Sequence, residues 1–235
     1  MAENNLGNEL LETGDVDAAV AHFQKSFQLK PDLLEAHYSL VYGLLRKGDS
    51  DAAMTDARDT LSLNPGDPEA HGVLGTVFMT KGLTDEAIAQ FSKALEIRPD
   101  LSKAHYNLAI ALLEKHETAK AIDHYEKALE AEPNYLEAVT NLAWVLATSK
   151  DAINRNGPKA VELAERANHL TGGMNPLVLR TLAAAYASNQ RFDKAIETSR
   201  RALQFAQDQR NPEVVEAIRR EMSLYETGRQ SFESQ

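Results

Sequence analysis

Apolar and small residues recur along this chain at a fixed spacing of 34 positions. Proline, leucine, alanine and aromatic residues each form a series in the same phase, with Ala57 interrupting the aromatic one. The series are Pro31, Pro65, Pro99 and Pro133; Leu6, Leu40, Leu74, Leu108 and Leu142; Ala19, Ala53, Ala87 and Ala121; and Phe23, Phe91 and Tyr125. A period of this length predicts a supersecondary unit that is repeated, because one unit cannot bury its apolar face without a neighbour.

The third repeat shows most clearly what the unit is. Its apolar residues fall on one side of two predicted helices, Glu69 to Lys81 and Thr84 to Ile97. Asp67-Pro68 is a typical helix start, because a proline in the first turn loses no helical hydrogen bond. Gly82 lies just past the first helix, where glycine is the usual stop, and Pro99 cannot continue the second helix. The unit is therefore predicted to be a helix–turn–helix.

The order of these residues resembles that of the tetratricopeptide repeat family. The third repeat carries it as Leu74-Gly75, Phe78, Gly82, Ala87, Phe91, Ala94 and Pro99. The resemblance covers nearly the whole chain and implies an all-α, right-handed α-solenoid of about six helix–turn–helix repeats with a C-terminal capping helix. We expect a single solenoid over residues 1–235, with repeats at about 1–31, 32–65, 66–99, 100–133, 134–173 and 174–209, and the cap at about 211–228.

The two ends of the array are expected to differ. The back half resembles the closing repeats of many bacterial tetratricopeptide proteins. There a polar stretch, 148–158, lengthens the turn of the fifth repeat, and Gly172-Gly173 end its second helix. The last helix carries an apolar stripe that is expected to cover the final repeat: Val214, Val215, Ile218, Met222 and Tyr225. The first repeat begins in mid-motif, so we expect a chain cut from a longer protein, with an uncapped end that self-associates.

Composition narrows the classes of partner. The net charge of −10 argues against nucleic acid, whose phosphates reward Lys and Arg, and suits a basic or neutral protein surface. There is no cysteine, and no run approaches the roughly 18 apolar residues that cross a bilayer. A soluble protein without direct membrane insertion is expected. The sequence assigns no compartment.

Candidate chemistry is sparse. His37, His71 and His105 share one phase, but hairpins stack about 8–10 Å apart, too far for three such nitrogens to reach one zinc ion. We therefore predict that these histidines are structural. Asp15 and Asp49 begin turn segments that lack the rest of a calcium loop, and they are predicted to cap helices. No phosphate loop, nucleophile elbow or metalloprotease motif is present, so we expect no cofactor, no metal and no catalytic activity.

The first helix of each repeat is expected to line a concave groove that holds a protein or peptide. Helical spacing places aromatic residues there, with small residues between them in phase. The candidate groove residues are Asn5, Tyr38, Tyr42, Gly72, Thr76, Tyr106, Asn107, Ile110, Asn141 and Trp144. The same spacing also puts Asn4, Val73, Thr148 and Thr181 on this face. Two interpretations stay open: the aromatic residues and the Gly72 notch receive a partner's side chain, or the aromatic residues pack on neighbouring helices.

Asn5, Asn107 and Asn141 each precede a leucine of the repeat. This pattern is similar to part of the asparagine ladder of O-linked N-acetylglucosamine transferases, which implies side-chain amides gripping a peptide backbone. Ser39, Val73 and Thr181 interrupt the ladder here. The set of basic residues with which some family members clamp a C-terminal carboxylate is missing.

Three functions remain open from the sequence. The first is a scaffold that binds a peptide or protein segment in the groove. The second is the regulatory or targeting part of a larger enzyme, for example a glycosyltransferase. The third is a structural protein that assembles end to end through its first repeat.

Overall fold

The structure, a computed structural model, describes residues 2–31 and 33–229. Its helices are α1 (Ala2–Thr13), α2 (Val16–Leu29), α3 (Leu34–Lys47), α4 (Ser50–Leu63), α5 (Pro68–Thr80), α6 (Thr84–Ile97), α7 (Ser102–Glu114), α8 (Thr118–Ala131), α9 (Leu136–Thr148), α10 (Gly157–Leu170), α11 (Pro176–Ser188), α12 (Phe192–Asp208) and α13 (Pro212–Glu226), with a short 3₁₀ helix at Ala152–Asn154. These two ranges contain no strand, which confirms the all-α class. No helix in them is long and apolar enough to cross a bilayer.

The chain divides into two compact units, Met1–Lys115 and His116–Gln235. The first unit contains α1 to α7 and the second α8 to α13. Inside each unit consecutive helices pack against each other, and the first helices of neighbouring hairpins also touch, as α3 does with α5 and α9 with α11. Each unit is therefore a stack of helix–turn–helix repeats, as predicted. A single solenoid over the whole chain, with the repeat limits given above, stays a prediction.

Helix limits in the third repeat follow the sequence closely. Helix α6 spans Thr84–Ile97 as predicted, and α5 runs from Pro68 to Thr80, one residue earlier at each end than expected. The Asp67 carboxylate accepts a hydrogen bond from the Glu69 N–H at 3.3 Å, which satisfies a backbone donor that has no partner inside the helix.

Aspartates also begin two of the second helices. Asp15 accepts from the N–H of Ala18 at 3.2 Å, and Asp49 accepts from the N–H of Ala52 at 3.1 Å. The prediction that these residues are helix caps is confirmed.

The turn inside each of the first four hairpins has one residue in the left-handed backbone conformation. Gly14, Gly48 and Gly82 have φ of 90°, 86° and 71°. His116 occupies the same phase, and its φ is 60°, so the turn keeps its geometry where the sequence has lost the glycine. A residue with a Cβ pays about 1 kcal/mol or more for this conformation. The geometry of the hairpin therefore decides the backbone here, and the side chain adapts to it.

The seam between α5 and α6 depends on one missing side chain. Phe91 is fully buried, and a Cβ built on Gly75 would lie 2.5 Å from its Cε1 atom. That is closer than carbon atoms can pack, so only glycine allows this approach. Gly72 lies three residues earlier on the same helix, and a Cβ there would meet nothing within 4 Å. Helix α5 thus has one glycine in a closed seam and one facing open space.

We expect opposite effects when these two glycines are replaced by alanine. Gly75→Ala forces the Phe91 ring from its place and is expected to lower the free energy of unfolding by about 1–3 kcal/mol. Gly72→Ala adds a methyl group to an open surface and is expected to raise it by about 0.5–1 kcal/mol through helix propensity. Urea unfolding followed by circular dichroism measures both. Equal effects of the two variants would contradict the packing described for Phe91.

The repeated leucines are buried with one exception. Leu40, Leu74, Leu108 and Leu142 are at most 5% exposed, whereas Leu6 is 41% exposed. Leu6 continues the leucine series of the sequence but lies outside the core, because α1 packs on α2 and α3 and Leu6 is on its other side. Periodicity identifies the apolar face of α1, but burial needs a further helix on that side.

The three in-phase histidines close the junctions between hairpins. The Nε2 atoms of His37, His71 and His105 lie 2.7, 3.1 and 2.9 Å from the carbonyl oxygens of the prolines six residues earlier, Pro31, Pro65 and Pro99. A carbonyl only accepts, so Nε2 carries the proton and donates. All three rings are buried. The predicted structural role is confirmed: each ring ties the proline at the end of one hairpin to the first helix of the next.

Helix α13 covers the last hairpin with the stripe that the sequence indicated. Val215 and Ile218 pack with Leu179, Ala202 and Ala206, while Tyr225 packs with Ala183, Ala187 and Ala195. These contacts bury the apolar sides of α11 and α12 that would otherwise face solvent.

Candidate functional site

The first helices of the hairpins carry the candidate groove residues. In the first unit Asn5 lies on α1, Tyr38 and Tyr42 on α3, Gly72 and Thr76 on α5, and Tyr106, Asn107 and Ile110 on α7. All eight are half-buried or exposed. Because α1, α3, α5 and α7 contact one another in that order, these residues share one face of the first unit. Whether a partner binds them stays a prediction.

A polar row crosses three of these helices. The Thr76 hydroxyl donates to the Gly72 carbonyl at 3.0 Å, and the Asn107 amide donates to Thr76 Oγ1 at 3.5 Å. The Tyr42 hydroxyl on α3 lies close enough to Thr76 for the threonine to affect the pKa of the phenol. Burial raises the pKa of Tyr42 and the nearby Thr76 partly offsets this, although 41% of the side chain is exposed. Tyr42 is therefore a neutral phenol that can donate or accept a hydrogen bond.

Gly72 forms a notch in this face. Its in-phase neighbours, Tyr38 on α3 and Tyr106 on α7, are half-buried aromatic residues, and no atom would meet a Cβ at Gly72 within 4 Å. The Tyr38 hydroxyl donates to the carboxylate of Asp67, which caps α5. This bond fixes the ring that borders the notch on one side. Burial, with the Glu69 carboxylate nearby, raises the pKa of Asp67.

In the second unit the predicted face is built around Trp144. The Arg180 guanidinium lies 4.4 Å from the centroid of the Trp144 ring and donates three hydrogen bonds of 2.6–3.0 Å to Glu221. Glu221 is only 7% exposed. The three side chains thus join α9, α11 and α13. Asn141, the other candidate in this unit, is half-buried on α9.

Sequence analysis missed Glu221, although a signal for it exists. The residue lies three positions after Ile218 and four before Tyr225, which puts an acid on the apolar stripe of α13. A charge at such a position is rarely buried without a partner of opposite charge. Arg180 on α11 is that partner.

Removing the Glu221 carboxylate is expected to destabilise the second unit and to free the tryptophan. Glu221→Ala leaves the half-buried Arg180 without its acceptors, and we expect a loss of about 2–4 kcal/mol in the free energy of unfolding. Trp144 is the only tryptophan, so its emission is expected to move to longer wavelength as Arg180 leaves the ring. Glu216→Ala, at an exposed site on the same helix, is the control and is expected to change stability by less than about 0.5 kcal/mol. If the unfolding curves of Glu221→Ala and Glu216→Ala coincide, the Arg180–Glu221 pair contributes nothing to stability.

Four residues that spacing placed on the groove face are buried instead. Asn4, Val73, Thr148 and Thr181 are all 4% exposed or less. The hydroxyls of Thr148 and Thr181 donate to carbonyls one turn earlier, at 2.8 and 3.1 Å, which allows burial without an unsatisfied group. On α1, α5, α9 and α11 the exposed strip is narrower than spacing predicts, because the neighbouring helices also cover these positions.

The asparagine series is only partly available to a ligand. Asn5 is exposed, and its side chain makes no hydrogen bond within the described ranges 2–31 and 33–229. The Asn107 amide is already engaged with Thr76, while Val73 and Thr181, which interrupt the series, are buried. A continuous row of amides along one peptide is therefore not formed by these side chains.

Comparison with known protein families agrees with this architecture. Two family models, each described as a tetratricopeptide repeat, match residues 4–57 and 68–134, and together they cover about half of the chain. The chain belongs to the tetratricopeptide repeat family. Proteins of this family are generally non-catalytic scaffolds for protein interactions.

Solved structures share the fold at low sequence identity. One is the Cut9–Hcn1 hetero-tetramer of the APC/C, with a TM-score of 0.75 and 16% identity over 92% of this chain; this chain spans only 42% of that one. The others are pilF of Pseudomonas aeruginosa (TM-score 0.70, 19% identity, 94% and 96% covered) and a thermophilic tetratricopeptide protein of Thermus thermophilus (TM-score 0.56, 18% identity, 93% and 96% covered). These likenesses establish the fold alone. No curated protein matches the sequence.

Proposed function

We propose that this protein is a non-catalytic scaffold that binds a peptide or protein segment along the first helices of its hairpins. The observation that carries the proposal is the notch at Gly72. Space is open above this glycine, while half-buried aromatic residues stand at the matching positions of α3 and α7. A partner's side chain gains most from a pocket with rigid aromatic borders, because such groups lose little conformational freedom on binding.

The chemistry beside the notch suits a polypeptide. Tyr42, Thr76 and Asn107 present hydroxyl and amide groups in a row, and Ile110 adds apolar surface on α7. Hydroxyls and amides both donate and accept, so they can pair with the N–H and C=O groups of a peptide. With a net charge of −10, the chain favours a neutral or basic segment over an acidic one.

Two further observations support the non-catalytic part of the proposal. The rings of the in-phase histidines are buried and bound to proline carbonyls, so they are not presented to a substrate. Family members are generally scaffolds. The alternative, a regulatory part of a larger enzyme, stays a prediction.

Filling the notch tests the proposal. Gly72→Trp places an indole in the open space, and the captured proteins are expected to fall by about tenfold or more relative to wild type when the tagged chain is used as bait in a native extract. Ala89→Trp is the matched control, because it adds the same side chain to an exposed position on α6 of the same hairpin. Circular dichroism establishes that both variants keep their helix content.

The two variants separate the outcomes. If Gly72→Trp loses the captured proteins and Ala89→Trp keeps them, the result supports binding at the notch. If Gly72→Trp still captures the same proteins, binding at the notch is rejected. If only Ala89→Trp loses them, the partner binds the second helices instead.

A second candidate, self-association through the first repeat, is favoured by the exposure of Leu6 on α1. If two copies meet on this side, the mass measured by light scattering is expected to rise with protein concentration, and Leu6→Glu is expected to hold the chain as a monomer. Leu177→Glu serves as the control, because Leu177 is also exposed, at 49%, but lies on α11. A mass that Leu6→Glu leaves unchanged would discard this interface.

A further inference from the structure

Three ion pairs recur in the first unit with the period of the repeat. Lys47 binds Asp17 at 2.7 Å, Lys81 binds Asp51, and Lys115 binds Asp85 at 2.9 Å. Each lysine lies at the end of a first helix, and each aspartate is the second residue of the preceding second helix. The pair therefore puts a negative charge at a helix N-terminus and a positive charge at a helix C-terminus, where the backbone dipoles favour them.

The next position of both series lies in the second unit and carries no charge. Ala119 is the second residue of α8, in place of the aspartate, and Ser149 follows the end of α9, in place of the lysine. A cavity of about 460 Å³ is found here, with both residues in its wall. Two shortened side chains have thus left space at a point that an ion pair fills in each earlier repeat.

Another cation takes the place of the lysine at the end of α9. Arg155, in the segment that lengthens this turn, donates from Nη1 to the carbonyl oxygens of Ser149 and Lys150 at 3.1 and 3.2 Å. The Asn156 N–H donates to the Leu146 carbonyl at 3.0 Å. The carboxyl end of α9 therefore has its cation and its hydrogen-bond donors.

The aspartate has no substitute inside α8. Helix α8 has no side-chain cap and no acidic residue in its first turn, whereas α2, α4 and α6 each have at least one acid there. Glu117, the residue before α8, pairs with Lys120. Asp151, the other carboxylate in the cavity wall, accepts a hydrogen bond from the Ile153 N–H at 3.1 Å. Neither acid caps the first backbone N–H groups of α8.

An independent feature of the cavity is an available hydroxyl group in its wall. Ser149 is only 5% exposed and lines the cavity, yet its hydroxyl makes no hydrogen bond within residues 2–31 and 33–229. The hydroxyl is therefore available to a ligand that enters the cavity. Lys150, also in the wall, is exposed and forms no ion pair with a described residue. A donor hydroxyl and a cation thus face the same space as the uncapped helix.

We propose that this cavity binds a carboxylate, in the place that the aspartate side chains fill in the first unit. The first-turn N–H groups of α8 and the Ser149 hydroxyl donate to it, and Lys150 supplies positive charge. The volume exceeds that of a carboxylate alone, which leaves room for the side chain that carries the group. The same chemistry is offered by an acidic side chain of a partner polypeptide and by a small free carboxylate.

Titration of the ¹⁵N-labelled protein tests the proposal. The probes are sodium acetate and the capped tripeptide acetyl-Gly-Asp-Gly-amide, with acetyl-Gly-Asn-Gly-amide and sodium chloride of equal ionic strength as controls. We expect saturable shifts of the backbone amide signals of Thr118, Ala119 and Lys120 with a carboxylate and none with the controls. Shifts with the aspartate peptide alone identify an acidic side chain as the ligand, and shifts with acetate as well show that a free carboxylate is sufficient.

Variants at one position separate charge from shape. Ala119→Asp restores the missing acid and is expected to weaken carboxylate binding by about tenfold or more, because the protein's own side chain then occupies the site. Ala119→Asn has the same size without the charge and is expected to bind more tightly than Ala119→Asp. The first unit carries aspartate at this position of three hairpins, so the fold accepts it. Ser149→Ala provides a second variant and is expected to weaken binding severalfold.

The results decide the matter in either direction. The proposal is overturned if no carboxylate produces a saturable shift at these three amides, or if Ala119→Asp binds as well as wild type. A site that takes inorganic phosphate in the same titration but neither carboxylate probe also overturns it.

Discussion

In two hairpins of the first unit, the contact between a glycine on one helix and an aromatic ring on the next sets the distance between the paired helices. At Gly75 the Phe91 ring lies where a Cβ would stand, and Gly7 meets Phe23 in the same way. A larger residue would push the two helices apart and open the seam that buries the repeated leucines. Because the distance between paired helices is fixed here, the positions of the turn, the proline and the next hairpin follow with little freedom.

The same polar contacts recur along the chain because the backbone geometry recurs from hairpin to hairpin. The proline carbonyl at the end of a hairpin meets a histidine Nε2 three times, and the start of a second helix meets a lysine three times. Exposed ion pairs of this kind add little stability each. The histidine bonds are buried and satisfy a carbonyl that the proline leaves at a chain reversal, so they fix the angle at which one hairpin follows another.

Much of the fold could be predicted from sequence, because the information is local. Helix α6, the caps at Asp15 and Asp49 and the stripe of α13 all depend on residues within a few turns of each other. The exposure of Leu6 and the burial of Asn4 could not be predicted from local sequence, since they depend on which helices flank α1. Glu221 was missed because its partner, Arg180, lies 41 residues away and outside the 34-residue phase. For the candidate groove, spacing overestimated the width of the exposed strip, and the loss of charge at Ala119 and Ser149 was an unused sign of the cavity at α8.

The packing within each unit joins helices that are near neighbours in the chain, such as α1 with α2 and α3 and α13 with α11 and α12. In such a stack each hairpin is stabilised by the hairpins next to it, and a helix at the end of the stack packs against fewer neighbours. Amide hydrogens of α1 should therefore exchange with solvent faster than those of α5, which has hairpins on both sides. A ligand that spans adjacent first helices would slow this segmental opening, so occupancy and local order would rise together.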